Sequence, residues 1–171
     1  QAWENLLGTI TRQLSQPFKL KQFLNATLAE IQVLAQVERV LVYQSKNQIL
    51  CEAVTPGYPS LKELGLKDLQ WEMLYPSEFQ QGQVVVIDDL SQVELPASAI
   101  AQLTQLKTTA VLMAPLIIHE QVWGLLCVHQ CQTPFPWEAW QVEQFSMLAT
   151  LVAIAIYQFQ LKEKLAHTVS H

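Results

Sequence analysis

Charge is sparse in this chain: only 15% of its 171 residues are Asp, Glu, Lys or Arg, and they balance to −5. No basic cluster stands in it, so a phosphate backbone would be repelled, and nucleic acid is excluded as a partner. Glycine is sparser still. Five glycines are scattered singly, which rules out a glycine-rich phosphate loop. The nucleophile elbow G-x-S-x-G and the metal pair H-E-x-x-H are absent too. No uninterrupted apolar run approaches the ~20 residues of a membrane-spanning helix. The most apolar stretch, AVLMAPLII, is broken by Pro115 and closed by His119 and Glu120. A charged-then-apolar leader is also missing from the start. Neither a membrane nor a secretory route is expected. The first residue is Gln1 and the last ones continue a helical pattern, so the chain reads as a piece of a longer protein.

Cysteine is rare as well. Cys51, Cys127 and Cys131 are odd in number and lack metal-type spacing, and they read as reduced core thiols of a cytoplasmic protein. Cys127 and Cys131, four apart, would share a strand face, but no third or fourth metal ligand accompanies them. Cys51 and Cys127 are expected to face a helical layer.

What the chain does have is apolar residues, which make up half of it. That fraction suits one folded domain with a substantial core and argues against disorder. Trp3, Leu6, Leu7, Ile10 and Leu14 recur at helical spacing, as do Leu20, Phe23, Leu24, Leu28, Ile31 and Leu34, with Pro17 between the two sets. From Arg39 the period changes. RVLVY and QILCEAV are β-branched runs joined by QSKNQ, a hairpin pattern, and TPGYPSL is a turn-rich exit. VVVI (84–87) is a third strand, and PASAIAQLTQL a short helix with Pro96 near its start. TTAVLMAPLII and VWGLLCVHQ are two longer strands around a turn at His119, Glu120 and Gln121. From Trp137 a long helix follows, with Trp140, Phe145, Leu148, Val152, Ala155 and Phe159 near one stripe. This order predicts an α+β domain: a central antiparallel sheet flanked by helices, closed by a long C-terminal helix.

No catalytic constellation assembles in the sequence. Asp88 and Asp89 are adjacent at a strand end, where side chains diverge, and Asp89 suits a cap on the following turn. No nucleophile, base and orienting group come together, so no enzymatic chemistry is expected in this segment.

Five stretches taken in order carry a resemblance: ERVLVY, CEAVTPGYPSL, QQGQVVVIDDLSQVEL, APLIIHEQVWGLLCVHQC and WQVEQFSMLATLVAIAIYQ. From about Leu20 to about Leu165 the chain resembles a GAF domain of the cyanobacteriochrome and phytochrome type, bilin-binding light sensors placed before histidine kinases and related outputs. The resemblance implies helices behind the sheet and a bilin cleft in front. It also implies a division into an N-terminal dimer or linker helix (1–18), the GAF domain (19–160) and the start of a linker helix to an output domain in the same chain (161–171).

The departures from that pattern are specific. The family's bilin-anchoring Cys-His pair falls on Ser98 and Ala99, and a hydroxyl is far too weakly acidic to replace the thiol in thioether formation. A second cysteine, found in one subgroup as Asp-x-Cys-Phe, meets Asp68-Leu69-Gln70-Trp71 here. Gln44 stands where the family often has arginine. His129 matches the histidine beside the bilin's terminal ring, and Asp68 an aspartate that contacts pyrrole nitrogens.

The favoured reading is therefore a sensory GAF module without a cofactor, from a two-component sensor kinase. Leu151, Ile154, Leu161 and Leu165 would extend a stripe for a homodimer through the terminal helices. The alternative is a sensor holding a bilin or another flat molecule non-covalently. Its pocket would be lined by Trp71, Tyr75, Phe79, Ile100, Leu103 and His129, with Asp68 and the Ser98 position at its edge. Without a ligand, His129 would fill a collapsed pocket beside Trp71 and Tyr75.

Overall fold

The structure is a computed structural model that describes residues 2–45, 48–65, 71–134 and 136–169. Two helices lead: α1 (Ala2–Leu14) and α2 (Leu20–Ala35), separated at Pro17 as the sequence predicts. Both bury the residues of their apolar stripes, Trp3, Leu6, Leu7 and Ile10 in α1 and Phe23, Leu24, Leu28 and Ile31 in α2. Helix α2 ends on Gln36 in the left-handed conformation, whose N–H returns to the Gln32 carbonyl. The chain then enters the sheet through the hairpin β1 (Arg39–Gln44) and β2 (Gln48–Val54). Three short helices follow: α3 (Leu61–Leu64), α4 (Trp71–Leu74) and α5 (Pro76–Gln80). After them come β3 (Val85–Ile87), α6 (Ala97–Gln105), β4 (Ala110–Ile118), β5 (Gln121–Gln130) and α7 (Ala139–Val169).

The sheet has five strands in the order β2-β1-β5-β4-β3, and every neighbouring pair is antiparallel. The expected α+β class, with helices flanking a central antiparallel sheet, is the fold observed. Alternation along each strand divides the core in two. Val40, Val42, Leu112, Ala114, Leu116, Leu126 and Val128 face α1, α2 and α7. Leu41, Tyr43, Val111, Met113, Leu125 and Cys127 face the layer of short helices with Leu61, Trp71, Phe79, Leu103 and Leu106. One sequence expectation is corrected here: Cys51 does face the long helices, but Cys127 faces the opposite layer. An odd-numbered position on β5 shares its side with Leu125, and Cys127 follows that parity.

The β4–β5 hairpin turns in two residues, His119 and Glu120, both at positive φ (53° and 63°). Such turns ordinarily use Asn-Gly, because ordinary side chains resist that backbone. Here the His119 ring packs edge-on against Tyr157 of α7, with centroids 4.9 Å apart.

Helix α7 lies across β4 and buries Phe145, Leu148, Val152, Ala155 and Ile156. At roughly 1.5–3 kcal/mol for each large side chain, that face alone commits the helix to the sheet. Trp140 and Phe159, placed on the stripe by periodicity, are largely outside the core instead. Beyond Ile156 the helix continues unbroken through residues 160 and 161 with Leu161 and Leu165 exposed. By length and composition α7 is apolar enough to cross a membrane, which no shorter run in the sequence suggested. Of its most apolar stretch, 39% is buried within this fold.

Candidate functional site

Polar chemistry on the short-helix side of the sheet centres on a buried arginine. Arg39 opens β1, has no solvent exposure, and pairs across the strands with His129 of β5. Its Nε and one terminal nitrogen donate to the Pro59 carbonyl at 3.1 and 2.8 Å. That same nitrogen donates to the Leu106 carbonyl at 2.8 Å. The other donates to Thr108 Oγ1 at 3.1 Å and meets His129 Nδ1 at 2.9 Å. All five N–H donors of the guanidinium are thereby used, and none is left for a ligand's phosphate or carboxylate.

The acidic neighbours belong to the same assembly. Glu38 accepts from the Cys131 backbone N–H at 2.6 Å and from Gln132 Nε2 at 3.1 Å. Glu52 accepts from Ser60 Oγ at 2.6 Å and from the Leu61 N–H at 2.8 Å. It so fixes the loop whose Pro59 carbonyl Arg39 holds. Burial draws the guanidinium below its ordinary pKa, while Cys131, Glu52 and Glu38 act in the opposite direction.

His129 is 2% exposed. Because Arg39 can only donate, His129 Nδ1 must accept, which places the ring proton on Nε2. Burial, with the Arg39 charge adding to it, holds its pKa well below the usual 6.5. A pH dependence follows. The unfolded chain takes up a proton at His129 near pH 6.5 and the native state does not. Stability is therefore complete above that value and falls as pH drops below it, approaching about 1.4 kcal/mol per pH unit until the native-state pKa is reached. Urea unfolding at about pH 7.5, 6 and 5 checks this against His129→Gln, which should lose that slope. Equal slopes in the two proteins would refute it.

The structure locates the other candidates as follows. Trp71 opens α4 at 1% exposure, and Tyr75 and Phe79 continue its aromatic row. Trp71 stacks on Tyr75 at 6.2 Å between centroids, and Tyr75 meets Phe79 edge-on at 6.4 Å. Leu103 is buried under α6, Ile100 is 49% exposed, and Ser98 lies exposed in the first turn of that helix. Asp68 lies outside the described residues.

Trp71, Phe79 and Leu103, with Tyr75 packed against them, share the buried cluster on the short-helix face, whereas Ser98 and Ile100 are exposed. Glu72 of α4 accepts from Ser45 Oγ at 3.0 Å, just past the far end of β1 from Arg39. At 3.3 Å per residue those ends are about 20 Å apart. His129 lies at the Arg39 end of that span, its backbone paired opposite Arg39. A cavity of about 380 Å³ opens beside α6, lined by Leu90, Leu95, Ile100, Leu103 and Thr108 among others. It gathers Ile100 and Leu103, and touches the arginine network through Thr108. Asp88 and Asp89 are both occupied by backbone: Asp89 caps Ser91 at 3.0 Å, as expected, and Asp88 accepts from the Trp137 N–H at 3.0 Å.

Sequence reasoning passed over Arg39, Glu38 and Thr108. The available signal was a charged residue heading an otherwise apolar strand, ERVLVY. Only the β1–β5 register, which sets Arg39 opposite His129, turns that signal into a site.

Comparison with known proteins agrees with this architecture. The GAF domain family matches residues 19–156. A circadian input-output histidine kinase, CikA, of Thermosynechococcus vestitus is 33% identical over 96% of this chain and 24% of its own length. The blue-light absorbing form of the Thermosynechococcus elongatus PixJ GAF domain superposes with a TM-score of 0.72 at 26% identity, covering 84% of this chain and 88% of that one. The phycocyanobilin-bound GAF domain of a cyanobacterial phytochrome shares the fold, with a TM-score of 0.78 at 22% identity over 94% and 96% of the two chains. This chain belongs to the GAF domain family. It spans about a quarter of the length of the curated kinases it matches.

Proposed function

We propose that this chain is a sensory GAF module of a larger cytoplasmic signal-transduction protein, with a histidine kinase as output, and that it works without a covalently held bilin. The observation that carries the reading is the state of its nucleophiles. By the family resemblance of the sequence the anchor position falls on Ser98, a hydroxyl on the exposed start of α6. The three thiols are all buried. Cys51 lies against the long helices, where burial pushes its pKa up to about 11. Cys131 sits near the Leu106 carbonyl and is also raised by burial. Cys127 is enclosed in the core between sheet and short helices. A thioether needs a reachable thiolate, and these settings disfavour one. Signals would leave through α7, whose exposed second half suits a paired linker helix shared with a second copy.

The second reading, a flat molecule held non-covalently, is favoured by the cavity under α6. Its volume falls within the ~300–1,000 Å³ common for small-molecule sites, and Leu90, Leu95, Ile100, Leu103 and Pro134 give it an apolar half beside Asp89, Ser91 and three threonines. One experiment separates the two. The protein is co-expressed with bilin-synthesis enzymes, and its absorption spectrum is recorded and then repeated on the protein fraction after acid denaturation and gel filtration. A colourless protein is expected. Colour lost on denaturation would establish the second reading, and colour retained would make one cysteine an anchor and overturn both.

A further inference from the structure

On the other side of the sheet, between the α1–α2 connection, the β2 edge and the second half of α7, lies a cavity of about 580 Å³. It is roomier than the cavity under α6. Its floor is apolar: Leu24 and Cys51 are almost wholly buried, with Leu50 beside them. Phe18 and the partly exposed Phe159 form its walls.

The rim is cationic. Lys19, Lys21 and Lys162 line the opening. Lys162 Nζ stands 5.3 Å above the centre of the Phe18 ring, a cation–π placement that holds it at the mouth. A fourth ammonium, Lys62 Nζ, donates to the Leu50 carbonyl at 3.3 Å. The charges of Lys62 and Lys21 both reach the Cys51 thiol on the floor. Glu163 is the lone carboxylate of the lining. In a chain of net charge −5, four lysines gathered around one apolar hollow is the reverse of the overall balance. Like charges brought together repel, and an anion among them removes that cost.

We propose that this cavity binds an amphipathic carboxylate, a molecule with an apolar body and one carboxylate at its end. The body fills the space among Phe18, Leu24, Leu50 and Phe159. The carboxylate stays at the mouth, where Lys19, Lys21 and Lys162 face it in water. Ammonium groups on flexible stems suit a single rim-exposed charge, and no arginine fork is present to select a phosphate. The volume lies in the usual range for small-molecule sites. The reading is independent of whether the opposite face holds a pigment. Occupancy would have a consequence for α7: Phe159 and Lys162 lie beyond its last core residue, Ile156, so a ligand there ties the free half of the helix to α2 and β2.

Calorimetric titration of the chain with dodecanoate, and separately with dodecanol, tests the proposal. Saturable dodecanoate binding well below about 1 mM is expected, with dodecanol about tenfold weaker or more. Combined Lys21→Glu and Lys162→Glu should weaken dodecanoate about tenfold or more and leave dodecanol unchanged. Both lysines are exposed, so folding is not at stake, and circular dichroism verifies it. Phe159→Asp, at a partly exposed wall position, should abolish binding of both probes. Absence of saturable binding, or acid and alcohol bound equally, would overturn the proposal. So would indifference to the charge reversal.

Discussion

Arg39→Ala is expected to lower the free energy of unfolding by about 3–5 kcal/mol, read as a shift in the urea midpoint. The reason is what the substitution leaves behind. The Pro59 and Leu106 carbonyls, Thr108 Oγ1 and His129 Nδ1 would all lose their donor inside the fold. A buried polar group left unmatched costs about 1–3 kcal/mol, so four together exceed what relaxation or an entering water returns. Glu38 and Glu52 would meanwhile lose the cation that lies among them. Arg39→Lys should recover only part of the loss, because an ammonium has three donors and no planar fork. A loss under about 1 kcal/mol for Arg39→Ala would show that the guanidinium is hydrated in solution and would refute the enclosed network.

Gly124→Ala is expected to cost about 3 kcal/mol, the upper end for overpacking. Gly124 sits in β5 opposite Gln44, and a Cβ there would stand 2.1 Å from the Tyr43 carbonyl oxygen and 3.1 Å from Gln44 Cα. Both obstacles are backbone, so no rotamer change relieves the clash. β1 would have to move away from β5, disturbing the bond from the Ser45 N–H to the Trp123 carbonyl (2.9 Å) and the contact of Ser45 with Glu72. The measurement is again equilibrium unfolding, with near-ultraviolet circular dichroism reporting on Trp123 and Trp71. A change within about 0.5 kcal/mol would mean that the strands slide apart at little cost and that the close approach is not a constraint.

The two residues were unequally visible before the structure. Gly124 stands in WGLLCVHQ, where a glycine in an apolar strand run already signals close backbone approach. Arg39 looked like the polar start of a hairpin strand. Its burial depends on Pro59, on Leu106 and Thr108, and on His129, which come from three separate parts of the chain, and no local period records such a meeting.

What the sequence by itself determined is the long helices, the strands, α6 and the fold class, but not the short helices α3, α4 and α5. Apolar spacing of three and four residues marked α1, α2 and α7, β-branched runs marked the strands, and Pro17, Pro96 and the TPGYPS turn marked the breaks. These are short-range preferences, set by each residue's own neighbours, and so they are written in the order of residues. The tertiary structure alone decided three matters. It assigned Cys127 to the short-helix face, since one residue of register exchanges the two faces of a strand. It set His129 against Arg39, because strand pairing fixes which end of β5 meets which end of β1. It also gathered Lys19, Lys21, Lys62 and Lys162 around one hollow, although they lie up to 143 positions apart in the chain. Contacts of that kind arise only when the chain closes on itself, since burial of distant apolar faces brings together charges that no local pattern links.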